Sequence, residues 1–184
     1  MSGLWLDVLL VVALIGVNAV LAGSEMGFVA LREGQIRRLA QDGPRGLRVS
    51  ALAEDPTRYL SAVQLGITLA GFLASATVAV SMSEPVADRL TALGSAAQPV
   101  AIALVTIVVA LISLVFGELV PKRLAMQRAE RWSLVVARPM SWFIAASSPL
   151  IAVLSRSTDA AVRALGGDPE RHRDDVTDEE IVEF

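Results

Sequence analysis

The sequence predicts an all-α membrane protein with three transmembrane helices, a juxtamembrane belt helix and short amphipathic cytoplasmic helices. Three observations carry that prediction. The 184 residues are 54% hydrophobic and 19% charged, against about 45–50% and about 25% in soluble domains. The apolar excess falls in blocks, three of which reach the roughly 20 residues that a bilayer crossing needs. The arginines cluster in particular segments between those blocks.

The first block runs over residues 4–31. Its "AVLAGSE" weakly resembles a cleavage site, but no Lys or Arg precedes the apolar run and more spans follow, so it reads as a membrane helix. Residues 32–58 hold Ile36, Leu39, Leu47 and Leu52 among arginines, with "DGP" as a turn, and predict two short amphipathic helices on the membrane surface. The second block covers residues 59–82. "SEPVADRL" then predicts a short helix opened by Ser83 with Pro85 in its first turn. The third block covers residues 99–121.

A fourth apolar stretch, residues 132–154, carries Arg138, Pro139 and Pro149. It reads as a helix along the interface or a re-entrant segment, because Arg138-Pro139 leaves only a short uninterrupted run for a full crossing. The transmembrane domain is therefore expected over 1–155. An acidic cytoplasmic connector is expected over 156–184, with 9 acidic and 4 basic groups. "GGDP" breaks the chain there, and Thr177 with Glu180 forms a capping-box pattern for a helix that Phe184 cuts short, so the chain is expected to continue.

Arginine placement sets the expected topology. Residues 32–58 hold six arginines, the segment after Pro121 holds Lys122, Arg123, Arg128, Arg131 and Arg138, and the loop between the second and third blocks holds only Arg89. Positive-inside bias then puts the N-terminus outside and the C-terminus in the cytoplasm. The expected location is a bacterial inner (plasma) membrane.

Polar residues inside the blocks suggest what the protein does. Ser61, Gln64, Thr68, Gly71 and Ser75 recur at spacings of 3, 4, 3 and 4, which puts them on one helix face. Thr106, Ala110, Ser113 and Gly117 repeat this at 4, 3 and 4, with Glu118 next in line. In the first block Asn18, Ala22 and Glu25 share a face, and Gly16, Gly23 and Gly27 form a stripe that lets another helix approach. Such stripes are also ordinary packing surfaces. Glu25 is near enough to Arg32 to reach the headgroups, and Glu118 is spaced to pair with Lys122.

A carboxylate within a span costs about 2.5–3.5 kcal/mol on insertion scales, so it usually pairs or lines an ion pathway. Pro121 lacks the amide that would bond the Gly117 carbonyl. A freed carbonyl, a carboxylate and nearby hydroxyls make an all-oxygen site, suited to a hard cation such as Mg²⁺, Ca²⁺ or Na⁺. The chain has no cysteine, which excludes disulfides and thiolate sites. Its lone histidine, His172, lies outside the spans, and no Ser–His or Asp–Asp arrangement falls within them. An enzyme is therefore not expected, nor a nucleic-acid partner.

"GSEMGFVAL", "RYLSAVQLGITLAGFLAS" and "FGELVPKRLA" resemble the transmembrane domain of the CorC/cyclin-M family of Mg²⁺ exporters. The resemblance runs from about Leu4 to Phe184, and "VTDEEI" looks like the start of the connector to cytoplasmic CBS domains, which are absent from this chain. It implies a homodimer in the lipid bilayer, with Mg²⁺ as the transported ion and Na⁺ as the coupling ion. It also implies Glu118 as charged ligand or gate, a hydroxyl from Ser24, further oxygens near Gly23, Thr68 and Gly71, and Pro121 shaping the helix end. Many relatives carry a serine where this chain has Ala22, and eukaryotic ones an asparagine in the region of Ile67 or Gly71. The competing expectation is a membrane-anchored Mg²⁺ sensor or regulator that binds the ion and moves nothing.

Overall fold

A computed structural model describes residues 2–167. The expectations for Thr177, Glu180, His172 and the connector beyond Gly167 fall outside the described residues. Helices dominate, and no strand occurs among the described residues.

Helix α1 covers Ser2–Val29, α2 Glu33–Gln41 and α3 Pro44–Ala53. Helix α4 covers Pro56–Thr77 and runs on as a π-helical turn, Val78–Met82. The short α5 is Glu84–Ala87. Helix α6, Ala97–Leu114, continues through a second π-helical turn, Val115–Leu119, into α7, Val120–Gln127. Helix α8 covers Ala129–Ala164. By length and composition four stretches can cross a membrane: Leu4–Val29, Pro56–Met82, Thr91–Gln127 and Ala129–Ala164. Their large apolar side chains point outward, Trp5 at 68% exposure and Val80 at 79% among them. This is the inside-out pattern of helices solvated by lipid rather than water.

The chain divides into two compact units, Met1–Ala145 and Ala146–Phe184. In the first, α1 is the central helix. It packs along α4 and also along α7 and the π-turn before it, whereas α4 and α6 touch only slightly. That leaves a crevice between α4 and α6 with α1 behind it.

The amphipathic pair predicted at 32–58 is present as α2 and α3. Gly43 makes the turn between them at φ 107°, a conformation open to glycine, and Pro44 starts α3. The hairpin is tight: a Cβ on Gly46 would lie 1.7 Å from the Leu39 carbonyl oxygen. Leu39 and Val49 bury their side chains with Leu31 and Ala137 of α8, forming a small apolar core under the arginines.

Ser83 and Pro85 open α5 as expected, but the serine does not cap it. Its hydroxyl donates to the Ala79 carbonyl at 2.8 Å and accepts from Gln98 Nε2 at 3.3 Å. The belt segment expected at 132–154 is longer than its sequence implied. Helix α8 continues through Pro139 and Pro149, and Ser141 Oγ donates to the Ala137 carbonyl beside the first of them at 2.8 Å.

In the second unit, α8 ends in the expected glycine break. Gly166 takes φ 82° and its amide donates to Arg163 O, while the Gly167 amide reaches back to Val162 O at 2.9 Å. This is a Schellman closure, which satisfies the last carbonyls of the helix.

Candidate functional site

Both π-helical turns sit just before a proline. Pro121 has no amide to offer the Gly117 carbonyl, and Pro85 none for Ser81; each orphaned carbonyl lies within a widened turn. At the second turn the Val120 amide reaches the Val115 carbonyl, the five-residue reach of a π-helix. Asn18 of α1 supplies the missing donor: its Nδ2 donates to Gly117 O at 3.3 Å. Gly117 permits that approach, because a Cβ there would stand 3.3 Å from Asn18 Nδ2 and 3.4 Å from Ile15 Cγ2.

The polar faces read from the sequence converge on the crevice, a space of about 400 Å³. Thr68, Gly71 and Ser75 line it from α4, Thr106, Ala110 and Ser113 from α6, Asn18 from α1, and Glu118 from the π-turn. Ser61 and Gln64, which continue the α4 stripe, do not reach it. The Thr68 hydroxyl donates to Gln64 O at 2.8 Å, which leaves its lone pairs as acceptors. Asn18 Oδ1 is buried without a hydrogen-bond partner. Apolar walls come from Ile67, Phe72, Val109 and Leu114.

The charges at this end form a triplet. Lys122 Nζ lies 2.8 Å from Glu118 Oε1 and 3.2 Å from Glu25 Oε2. The first contact is a hydrogen-bonded pair one helical turn apart; the second is an ion pair without hydrogen-bond alignment. The three side chains are 25–35% exposed. Glu118 faces the crevice, whereas Glu25 lies outside its lining. The spacing of Glu118 and Lys122 was visible in the sequence. That Glu25 shares the same ammonium, rather than turning toward Arg32, was not.

Two expected ligands are placed elsewhere. Ser24 is fully buried on the side of α1 that meets α8, its hydroxyl donating to Leu21 O at 2.7 Å and touching Met140 Sδ at 3.4 Å. Gly23 and Gly27 face the same way. A Cβ at either would strike the Trp132 indole, at 2.5 Å and 3.0 Å respectively. The glycine stripe of α1 therefore seats Trp132, and Gly16 has no neighbour to seat. Helical geometry explains the split: Gly23 and Ser24 follow Asn18 by five and six positions, about 140–240° around the axis. The Gly117 carbonyl, expected to be free, is bonded to Asn18. Beside it, Asn18 Oδ1 is buried and has no hydrogen-bond partner, which the sequence did not signal.

No group of three or more Asp, Glu, His or Cys side chains that could hold a metal occurs among the described residues. Any cation in the crevice would be held by one carboxylate with hydroxyl, amide and carbonyl oxygens and its own water. That donor set fits a hard, partly hydrated ion and no soft metal.

A family model described as the cyclin M transmembrane N-terminal domain matches residues 9–184. UPF0053 protein sll0260 of Synechocystis sp. is 36% identical over 185 residues, which cover 98% of this chain and 41% of that protein. UPF0053 protein YhdP of Bacillus subtilis is 30% identical over 165 residues, 87% of this chain and 37% of its own length. A polyamine export protein of Haemophilus influenzae is 30% identical over 149 residues, 74% of this chain and 34% of its own. The chain spans well under half the length of these curated relatives.

Proposed function

The chain belongs to the family of the cyclin M transmembrane N-terminal domain, and from that premise we propose that it is the membrane part of an exporter of Mg²⁺ coupled to Na⁺ entry. One observation carries the reading: polar faces from α4 and α6, with Asn18 of α1, meet Glu118 around a single crevice of about 400 Å³. Six waters at about 30 Å³ each fill roughly 180 Å³, so a hydrated ion has room. Mg²⁺ gives up its water reluctantly and is usually held by one or two carboxylates.

In this reading Glu118 balances the ion's charge. Thr68, Ser75, Thr106 and Ser113 meet its water shell, the Gly71 backbone lies open to it, and Asn18 stands at the back wall. Pro121 shapes the mouth by widening the helix. Ser24 and Gly23 serve by holding α1 against α8, and Glu25 through Lys122. Glu118 and the arginines of α2, α3 and α7 face the cytoplasm of a bacterial inner membrane, with the N-terminus outside. The natural unit is a homodimer whose longer chain adds CBS domains beyond residue 184.

The test is thermal unfolding of the purified chain. Mg²⁺ raises the Tm of the wild type, and Glu118→Gln removes that rise; an equal rise in the variant overturns the assignment of Glu118. In liposomes holding a Mg²⁺ dye, a Na⁺ gradient drives a protein-dependent signal if the ion crosses, and silence with retained binding favours the sensor.

A second cargo is favoured by the apolar walls. Ile67, Phe72, Val109 and Leu114 beside a carboxylate suit the methylenes and ammonium of an organic polycation, in keeping with the similarity to the polyamine export protein of Haemophilus influenzae. Spermidine flux without Mg²⁺ flux selects this cargo.

A further inference from the structure

The placement of Lys122 goes beyond what a surface ion pair explains. Its ammonium lies 2.8 Å from the carboxylate that faces the crevice and 3.2 Å from one that does not. A cation arriving at Glu118 finds the site already held by a cation fixed to the chain. A lysine ammonium is a compact charge on a flexible four-carbon stem, able to swing without backbone movement. Glu25 gives it somewhere to go. When Glu118 is taken by an ion, the ammonium keeps a partner and no charge is stranded at membrane depth, where an unpaired one is costly.

Resting on the reading of the crevice as a cation site, we propose that Lys122 is a tethered competitor for Glu118, and that Glu25 is the berth to which its ammonium moves when the cargo ion binds. Lys122 then sets the concentration at which the site fills. Affinity falls by the fraction of molecules in which Glu118 is free, so a lysine that holds it nine times in ten weakens binding roughly tenfold. Glu25 acts in the opposite direction: it never touches the ion, yet it strengthens binding by drawing the ammonium aside.

Simple charge repulsion predicts a different pattern. Removing any nearby positive charge would then tighten binding, and Glu25 would matter whether or not Lys122 were present. Arg123 is the control, one position further along α7 and exposed.

Mg²⁺ titration of the purified chain, read by calorimetry, separates these cases. Lys122→Gln tightens Mg²⁺ binding by roughly tenfold, and Arg123→Gln changes it far less. Glu25→Gln weakens binding in the wild type and has no effect in the Lys122→Gln background. Lys122→Arg, which keeps both pairs, stays near the wild type. Equal gains from Lys122→Gln and Arg123→Gln overturn the proposal, as does an effect of Glu25→Gln that persists without Lys122. If the wild type binds Mg²⁺ through Glu118 but Lys122→Gln gives no gain, the proposal alone falls. Absence of binding in both proteins removes the reading of the crevice as well.

Discussion

Asn18 and Gly117 stand 99 positions apart, and one hydrogen bond joins them because Pro121 left the Gly117 carbonyl without its helical donor. That bond gives a prediction. Asn18→Ala lowers stability by about 1–2 kcal/mol, since a buried acceptor loses its partner. Pro121→Ala restores an amide that can serve the same carbonyl, so Asn18→Ala is milder in that background. Thermal unfolding of the two single variants and the double variant gives the coupling, and strict additivity overturns the link. Glycines provide a second residue-scale contrast. Gly23→Ala drives a Cβ into the rigid Trp132 indole and destabilises by about 1–3 kcal/mol. Gly71→Ala meets nothing within 4 Å. It leaves Tm unchanged, and any loss of Mg²⁺ binding from it reports on the crevice alone.

Among the elements, the helices with a bulge are the ones that build the site. A regular helix satisfies its own carbonyls, and only where a proline withholds an amide does one become available for tertiary bonding. Helix α8 carries two prolines and has no π-turn, and the Trp132, Ser133 and Met140 face of its first half is spent on packing α1. The belt reading of residues 132–154 has a direct check at this scale. Single cysteines at Ser141 and Ser155 are both labelled from the arginine-rich side of the membrane, whereas in a crossing helix they stand about 21 Å apart along the axis, inside a core of about 30 Å, and are not both reached from that side. The chain has no cysteine of its own, so each label reports one position.

For the molecule as a whole, the crevice follows from uneven packing: α1 holds α4 and α7 closely while α4 and α6 stay apart. Thr106 and Glu118 lie twelve residues apart along one continuous run, about 18 Å at the rise of a helix. The crevice thus covers more than half of a hydrocarbon core of about 30 Å. Composition and periodicity determined much of this from the sequence alone, because they are properties of short segments: the apolar blocks, the turn at Gly43, the break at Gly166 and the polar faces of α4 and α6. Those faces could be read because a 3-and-4 spacing fixes which side chains share a side, whatever the rest of the chain does. Which side faces which helix depends on how α1 is rotated against its neighbours, and no local pattern records that angle. Only the tertiary structure decided that Ser24 meets Met140, that Asn18 takes the Gly117 carbonyl, and that Glu25 and Glu118 share Lys122. Each of these contacts joins helices distant in sequence, and its partner is set by packing of the whole bundle rather than by either segment.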